Sequence, residues 1–302
     1  MNEFLQFSLV PMAMAALAAI ACALPGNFLL LRGQSLVGDA VSHVVLPGVV
    51  IGFLISGGAS AVWIMAGAAM AAVIAAAAFE AVRRAARVEA GAAMGVVFTA
   101  MFALGVLLLE QSNARSVHLD VEHALYGNLE SHIWLAAENW AALARAETWR
   151  AMPAEAATLA GVAAALSLLV ALFFKELRLV SFDPDFARST GMPTGVVQFA
   201  VVLASALAAV AAFSAVGSIL VIAMFVCPPA AARLMTDDLA RQVWLSAGVG
   251  AASAVIGFLA AGHAPLWLGF QSTVSAAGMI AVVSGLFVLG AAMFGARRAS
   301  RA

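Results

Sequence analysis

The chain has 302 residues, of which 64% are hydrophobic and 10% are charged, and its formal net charge is −1. A soluble domain is about 45–50% apolar and about 25% charged, so this composition excludes a water-soluble globular protein and indicates a membrane protein. A net charge this close to zero gives no electrostatic basis for binding nucleic acid.

Apolar runs between charged residues predict nine transmembrane helices, because about 20 helical residues cross a hydrocarbon core about 30 Å thick. We expect these spans near 7–31, 35–56, 60–80, 92–110, 156–174, 194–213, 216–234, 243–262 and 267–294. The expected fold class is therefore all-α, a polytopic helical bundle that forms one transmembrane domain over 1–302. The stretch 111–155 is the one long polar connection, and its middle (133–143) is interpreted as an amphipathic helix on the membrane surface.

The distribution of basic residues predicts the orientation, since cytoplasmic loops carry an excess of Lys and Arg. With the N-terminus outside, only Arg115, Arg145 and Arg150 fall on the outer side. The first apolar run lacks the basic region of a signal peptide and is expected to remain as a helix. We therefore predict a multi-pass protein of the bacterial inner membrane with a cytoplasmic C-terminus. The basic residues on the cytoplasmic side are then Arg32, Arg83, Arg84, Arg87, Lys175, Arg178, Arg188, Arg233, Arg241, Arg297, Arg298 and Arg301.

Two polar residues inside the second span are candidate metal ligands. Asp39 and His43 are four residues apart, so on a helix they share one face with Cβ atoms about 5–6 Å apart. An Asp inside a span costs about 2.5–3.5 kcal/mol and is typical of a water-filled path or an ion pair. A carboxylate beside an imidazole suits Mn²⁺, Fe²⁺ or Zn²⁺, and two copies about a two-fold axis would supply a set of four ligands. Spacing alone favours equally a metal-ligand pair and an Asp–His ion pair that joins helices.

Two further features are open to two interpretations each. Pro47-Gly48 and Pro228-Pro229 predict helix distortion, which either lines a path through the membrane or simply accommodates packing. The second feature is an acidic and imidazole cluster on the outer side, which either receives a metal ion from an external donor or is an ordinary solvated loop. Its members are His118, Asp120, Glu122 and His123.

No phosphate-binding G-x-x-x-x-G-K-[ST] motif occurs in the sequence, so the chain is not expected to be an ATP-hydrolysing enzyme of the P-loop kind. Energy must then come from a partner ATPase or from an ion gradient. The cytoplasmic segment 175–193 is polar and contains a short predicted helix, with Asp183 as N-cap, Pro184 at the first helical position and Gly191 as the stop. Such a helix either docks into a partner or is a surface turn.

Three motifs in order resemble the permeases of ABC transporters that import manganese, zinc or iron. They are LRGQSLVGDAVSHVVLPG at 31–48, KEL with FDPDFA within 175–187, and AVGSIL with PAAARL within 215–234. The run HLDVEH with LYGNLE at 118–130 is similar to the manganese-type branch of that family. The resemblance extends over roughly 10–295.

The resemblance implies a type II ABC importer-like bundle in which Asp39 and His43 coordinate the transported metal ion. It implies no cofactor bound by this chain, ATP on two cytoplasmic ATPase subunits, a second permease (identical or paralogous) and an extracytoplasmic metal-binding protein. A gradient-driven secondary metal transporter is the alternative, although Asp39 is its one clear intramembrane carboxylate. By position, the residues expected to contact the ATPase are Glu176, Phe182, Asp183, Pro184, Phe186 and Ala187.

Overall fold

A computed structural model describes residues 2–34, 44–57, 61–86, 88–111, 129–137, 139–267 and 274–295. Every regular element in these residues is helical, which confirms the predicted all-α class. In chain order the α-helices are α1 (Asn2–Phe7), α2 (Leu9–Leu31), α3 (Leu46–Ser56), α4 (Ala61–Ala86), α5 (Ala90–Gln111), α6 (Ala146–Arg150), α7 (Ala154–Leu172), α8 (Phe174–Phe182), α9 (Pro184–Ser189), α10 (Thr194–Val216), α11 (Ser218–Met235), α12 (Leu239–Trp267) and α13 (Ala276–Phe294).

Eight helices in the described part of the chain are long and apolar enough to cross a membrane. The predicted span 35–56 is described only from residue 44, as the eleven-residue helix α3. The last helix begins at Ala276 and not near 267, because α12 continues to Trp267. The surface helix predicted for 133–143 is wrong for its first half, since 133–137 is irregular.

Helix α2 lies at the centre of the bundle. It packs against α7, α10, α11 and α12, and its second half is buried around the whole circumference. Its inward positions are mostly alanine, such as Ala15, Ala18 and Ala19, and these small side chains let neighbouring helices approach closely. Four of the other long helices therefore surround α2.

Helices α3, α4 and α5 form a separate group. They contact one another, and the principal contact between this group and the rest of the bundle is between α4 and α10. Within the group, α3 and α4 pack backbone to backbone, because a Cβ atom at Gly48 would overlap the main chain of Gly67. The two parts of the bundle are thus each densely packed and joined mainly through one helix pair.

A close contact also fixes α2 against α11. Pro229 has no N–H, so the carbonyl of Phe225 receives no helical hydrogen bond from it. That carbonyl faces Gly26, where a Cβ atom would lie 2.5 Å from the Phe225 oxygen and 3.1 Å from Cγ of Pro229. Only glycine fits at this crossing.

A single residue, Gly217, joins α10 to α11. Its N–H donates to the carbonyl of Phe213 at 3.1 Å, and its own carbonyl accepts from Val221 at 3.4 Å, so it closes one helix and opens the next. Its φ of 82° and ψ of 168° lie in a region that is essentially restricted to glycine. The glycine of the AVGSIL motif is therefore required by the backbone.

We predict that Gly217→Ala destabilises the protein by about 1–3 kcal/mol, because a Cβ atom makes this backbone conformation strained. The measurement is the Tm of the purified protein in detergent. Gly248→Ala is the matched control, since a Cβ atom there meets nothing within 4 Å and alanine favours the helix interior. Equal Tm values for the Gly217→Ala and Gly248→Ala variants would contradict the prediction.

Candidate functional site

The polar segment 175–193 contains the short capped helix that the sequence predicts. The Oδ1 atom of Asp183 accepts a hydrogen bond from the N–H of Phe186 at 2.9 Å, and Pro184 occupies the first turn of α9. After the helix, Gly191 adopts a φ of +81°, which is the left-handed conformation of a helix stop. The predicted N-cap, start and stop are confirmed, whereas the docking role of the segment stays a prediction.

Helices α8 and α9 bury small and aliphatic side chains and expose two aromatic rings. Leu177 and Ala187 are buried, Glu176 is half-buried, and Phe182 and Phe186 are 52% and 55% exposed. Exposed aromatic rings on a polar segment are typical of a surface that contacts a partner. These two rings are the most prominent apolar groups of the segment.

Arg188 fastens α9 to the long helix that follows it. Its Nη1 atom donates to Oδ1 of Asp185 at 3.1 Å, and its Nε atom donates to Oγ1 of Thr194, in the first turn of α10, at 3.2 Å. Because the guanidinium is planar, the two contacts fix the orientation of α9 at the start of α10. Side-chain contacts of Arg188 therefore join the short helix to a transmembrane helix.

A groove of about 650 Å³ separates α8 from the turn between α11 and α12. We call it the α8 groove. Its α8 side carries Lys175 and Arg178, and its turn side carries Asp237 and Asp238, so charges of opposite sign face it from its two sides. Sequence reasoning did not assign the turn to this surface. The two adjacent acidic residues between two predicted spans were the signal that could have indicated it. The remaining lining residues are Phe174, Leu179, Phe182, Leu239 and Ala240.

The end of α2 is defined by a Schellman motif. The N–H of Gln34 donates to the carbonyl of Leu29 at 2.9 Å, and the N–H of Gly33 donates to that of Leu30 at 3.1 Å, with Gly33 at a φ of +66°. Both bonds satisfy carbonyls that a helix end otherwise leaves without partners. The motif fixes where the segment 35–43 starts relative to α2.

Arg32 places a positive charge at the same end of α2. Burial lowers the pKa of Arg32 to about 10, so its guanidinium remains protonated at neutral pH. Among the residues that the structure describes, neither its Nε nor its Nη2 atom has a hydrogen-bond partner. The negative end of the α2 dipole stabilises a cation in this position. A fixed positive charge therefore precedes the segment that carries the candidate metal ligands.

The candidate ligands themselves lie outside the described residues, and their roles stay predictions. The described part of the chain holds no group of three or more His, Cys, Asp or Glu residues that could bind a metal ion. The undescribed candidates are Asp39 and His43 in the second predicted span and His118, Asp120, Glu122 and His123 in the outer connection.

The residues on either side of the segment 35–43 line one cavity of about 640 Å³. They are Gln34 and Val44, and the walls between them come from α4, α5 and α10. Most of the lining is alanine, valine and phenylalanine, while Arg83 and Arg188 add positive charge. The segment that carries Asp39 and His43 thus begins and ends at this cavity.

The prolines occupy two different positions in their helices. Pro47 lies in the first turn of α3, where a proline removes no helical hydrogen bond, and Gly48 follows it in the close contact with α4. Pro228 and Pro229 lie inside α11, which continues through them, and both are buried. The distortion predicted at these four residues stays a prediction.

The long polar connection packs against the other end of α2. The N–H of Trp134 donates to the carbonyl of Gln6 at 2.9 Å, and its indole Nε1–H donates to the carbonyl of Thr148 at 3.0 Å. Glu130 accepts the N–H of Ala276, at the start of α13, at 2.6 Å. The connection is therefore an ordered cap on this end of the bundle where the structure describes it.

Comparisons with known proteins agree with this architecture. The chain is 35% identical to the manganese transport system membrane protein MntD of Bacillus subtilis over 93% of the chain and 90% of that protein. It is 36% identical to the zinc transport system membrane protein TroD of Treponema pallidum over 71% of the chain and 56% of that protein. Among solved structures, PsaBC from Streptococcus pneumoniae in complex with Fab matches with a TM-score of 0.74 and 28% identity, over 95% of this chain and 91% of that one.

The sequence profile of the ABC 3 transport family matches residues 1–133 and 152–295. This match leaves out only part of the polar connection and the C-terminal end, and it includes all three motifs on which the resemblance was based. The resemblance is therefore confirmed, and the chain belongs to the ABC 3 transport family.

Proposed function

We propose that this chain is the membrane-spanning permease subunit of an ATP-driven importer for a divalent transition-metal ion, with manganese favoured, then zinc, then iron. Membership of the ABC 3 transport family carries the proposal, and the relatives named for manganese and zinc transport support the class of cargo. A gradient-driven secondary transporter has no such support.

In the proposed orientation the N-terminus is outside and the C-terminus is cytoplasmic. The grouping of residues within the structure supports this arrangement. Arg83 and Arg188, both expected inside, line the same cavity as Gln34 at the end of α2, and α8 shares the α8 groove with the turn between α11 and α12. The end of α1 and the polar connection meet at the other end of α2, through the bond from Trp134 to Gln6. The basic residues of the cavity and the groove then lie on the side opposite to the polar connection, in line with the positive-inside rule.

Asp39 and His43 are proposed to coordinate the ion as it passes. Oxygen and imidazole ligands suit manganese, zinc and iron alike, so these two residues select the class of ion and not its identity. Two copies of the permease, identical or paralogous, would complete the coordination sphere. His118, Asp120, Glu122 and His123 would receive the ion from an extracytoplasmic metal-binding protein.

The energy is proposed to come from two cytoplasmic ATPase subunits that dock on α8 and α9. This surface offers the exposed rings of Phe182 and Phe186, and the α8 groove beside it offers charges of both signs. A matching ATPase surface would bury the rings and pair those charges. In this proposal the chain itself forms the transmembrane path of the ion, and the partner subunits hydrolyse ATP.

We predict that Asp39→Ala or His43→Ala abolishes metal accumulation, because either change removes a ligand and leaves the other without its partner. The measurement is the uptake of radioactive manganese by cells that express the importer, with zinc and iron as competitors. His263→Ala is the matched control, since its imidazole is exposed on α12 and lies 2.9 Å from the Leu259 carbonyl of the same helix. Uptake at the unsubstituted rate in either ligand variant would refute the assignment.

We predict that Phe182→Ala combined with Phe186→Ala weakens binding of the partner ATPase about tenfold or more, since exposed aromatic anchors carry much of the energy of such interfaces. The measurement is co-purification of the ATPase with the permease, together with ATP-dependent uptake in vesicles. Phe7→Ala is the control, because Phe7 has a similar exposure, 46%, at the other end of the bundle.

Undiminished co-purification of the double variant would count against the docking surface. Uptake that requires a pH gradient and no ATPase would instead favour the secondary transporter.

A further inference from the structure

A chain of buried polar side chains crosses three helices of the bundle. Asn27 lies on α2 and Gln242 and Ser246 lie on α12, and all three side chains are fully buried. The fourth member, Arg233, lies in the last turn of α11. Polar groups at this depth are expensive to bury, so a set that spans three helices calls for an explanation.

Hydrogen bonds connect Asn27 to α12 on both sides of its amide. Its Nδ2 atom donates to Oγ of Ser246 at 2.7 Å, and its Oδ1 atom accepts from Nε2 of Gln242 at 3.0 Å. The same Nδ2 atom donates to the carbonyl of Ala23 at 2.7 Å. The amide of Asn27 therefore has a partner for each of its hydrogens, and its orientation on α2 is fixed.

Arg233 extends the chain to the surface. Its Nη1 atom donates to Oε1 of Gln242 at 3.5 Å and to the carbonyl of Asp237 at 3.2 Å, and it lies 3.9 Å from the Asp237 carboxylate. Asp237 is exposed and lines the α8 groove. At 3.5 Å, the contact between Arg233 and Gln242 is longer than the bonds that join Asn27 to Ser246 and to Gln242.

At its other end the chain of polar side chains reaches the end of α2. Asn27 lies one helical turn before the last residue of that helix, Leu31. The Schellman motif at Gly33 and Gln34 closes the helix directly after it. A change in the position of Asn27 is therefore a change in the position of the hydrogen-bonded end of α2.

Packing alone does not require these polar groups. Replacing both partners of a buried hydrogen bond by apolar groups of similar shape is often neutral or stabilising, whereas removing one partner is costly. The rest of the core around α2 is apolar, mostly alanine, leucine and valine with Cys22, Phe28 and Phe225. Close packing of such side chains also joins membrane helices without buried amides.

We propose that Asp237, Arg233, Gln242 and Asn27 form a relay that couples the α8 groove to the end of helix α2. The inference rests on the proposed function, because it assumes that an ATPase docks at the groove. Movement of the turn at 236–238 on docking shifts Arg233, the hydrogen bond from Arg233 shifts Gln242, and Gln242 displaces α2 through Asn27. These are positioning residues, since none of them touches ATP in this arrangement.

The test is a double variant, Asn27→Leu with Gln242→Met, in the importer reconstituted into vesicles with its ATPase partner. The double change removes both buried amides, leaves no donor without an acceptor between them, and leaves Arg233 with Asp237. Three quantities are measured: the Tm, the rate of ATP hydrolysis, and the number of ATP molecules hydrolysed per manganese ion imported.

We expect an unchanged or higher Tm, continued ATP hydrolysis, and an increase of about 5- to 150-fold in the ATP hydrolysed per ion, which is the fold range of a typical coupling free energy. A role limited to structure would not change this ratio. Ser253→Ala is the matched control, because the Ser253 hydroxyl is buried on the same helix and donates to Val249 in its own helix. The control should keep the unsubstituted ratio.

An unchanged ratio in the double variant would overturn the relay, whether or not its Tm falls. If the double variant does not assemble, the ATP hydrolysed per manganese ion is measured for Arg233→Met instead. That side chain is at the end of the bundle, and its loss does not open the core. An unchanged ratio in Arg233→Met would likewise overturn the relay. Absence of ATP-dependent manganese uptake by the unsubstituted importer would overturn the proposed function itself. If the unsubstituted importer takes up manganese and the variants keep its ratio of ATP hydrolysed per ion, only the relay is overturned.

Discussion

A hydrocarbon interior offers no hydrogen bonds, so every polar group placed there must find its partner within the protein. This constraint explains why each described element that crosses the membrane is a helix. It also explains why Asn27, on the most buried helix, bonds to Ala23, Gln242 and Ser246. Alanine-rich faces around α2 bring the neighbouring helices close enough for those bonds to form.

The sequence could predict features that depend on neighbouring residues, and it could not predict contacts between residues far apart in the chain. Hydropathy located eight of the predicted spans, because span length and apolarity are local properties. Capping chemistry located the helix after Asp183 for the same reason. The bond between Gln242 and Asn27 joins residues 215 positions apart, and no local pattern encodes it. The first half of the helix expected over 133–143 is irregular, because Trp134 is bonded to Gln6 and Thr148.

Two surfaces at one end of the bundle have different characters. The α8 groove carries aromatic rings and charges of both signs, as a surface for another protein would. The cavity at Gln34 and Val44 is lined mostly by alanine, valine and phenylalanine, with arginine as its charged component. It is therefore apolar over most of its wall, in contrast to the groove.

The contact between Gly26 and the Phe225 carbonyl has a mechanical consequence. Because the carbonyl oxygen occupies the space of a missing side chain, the backbones of α2 and α11 lie in direct contact at this point. A transport cycle that moves α2 must therefore move the adjoining part of α11 with it. The group formed by α3, α4 and α5 lacks such a crossing with α2 among the described contacts and is joined to the bundle mainly through α10.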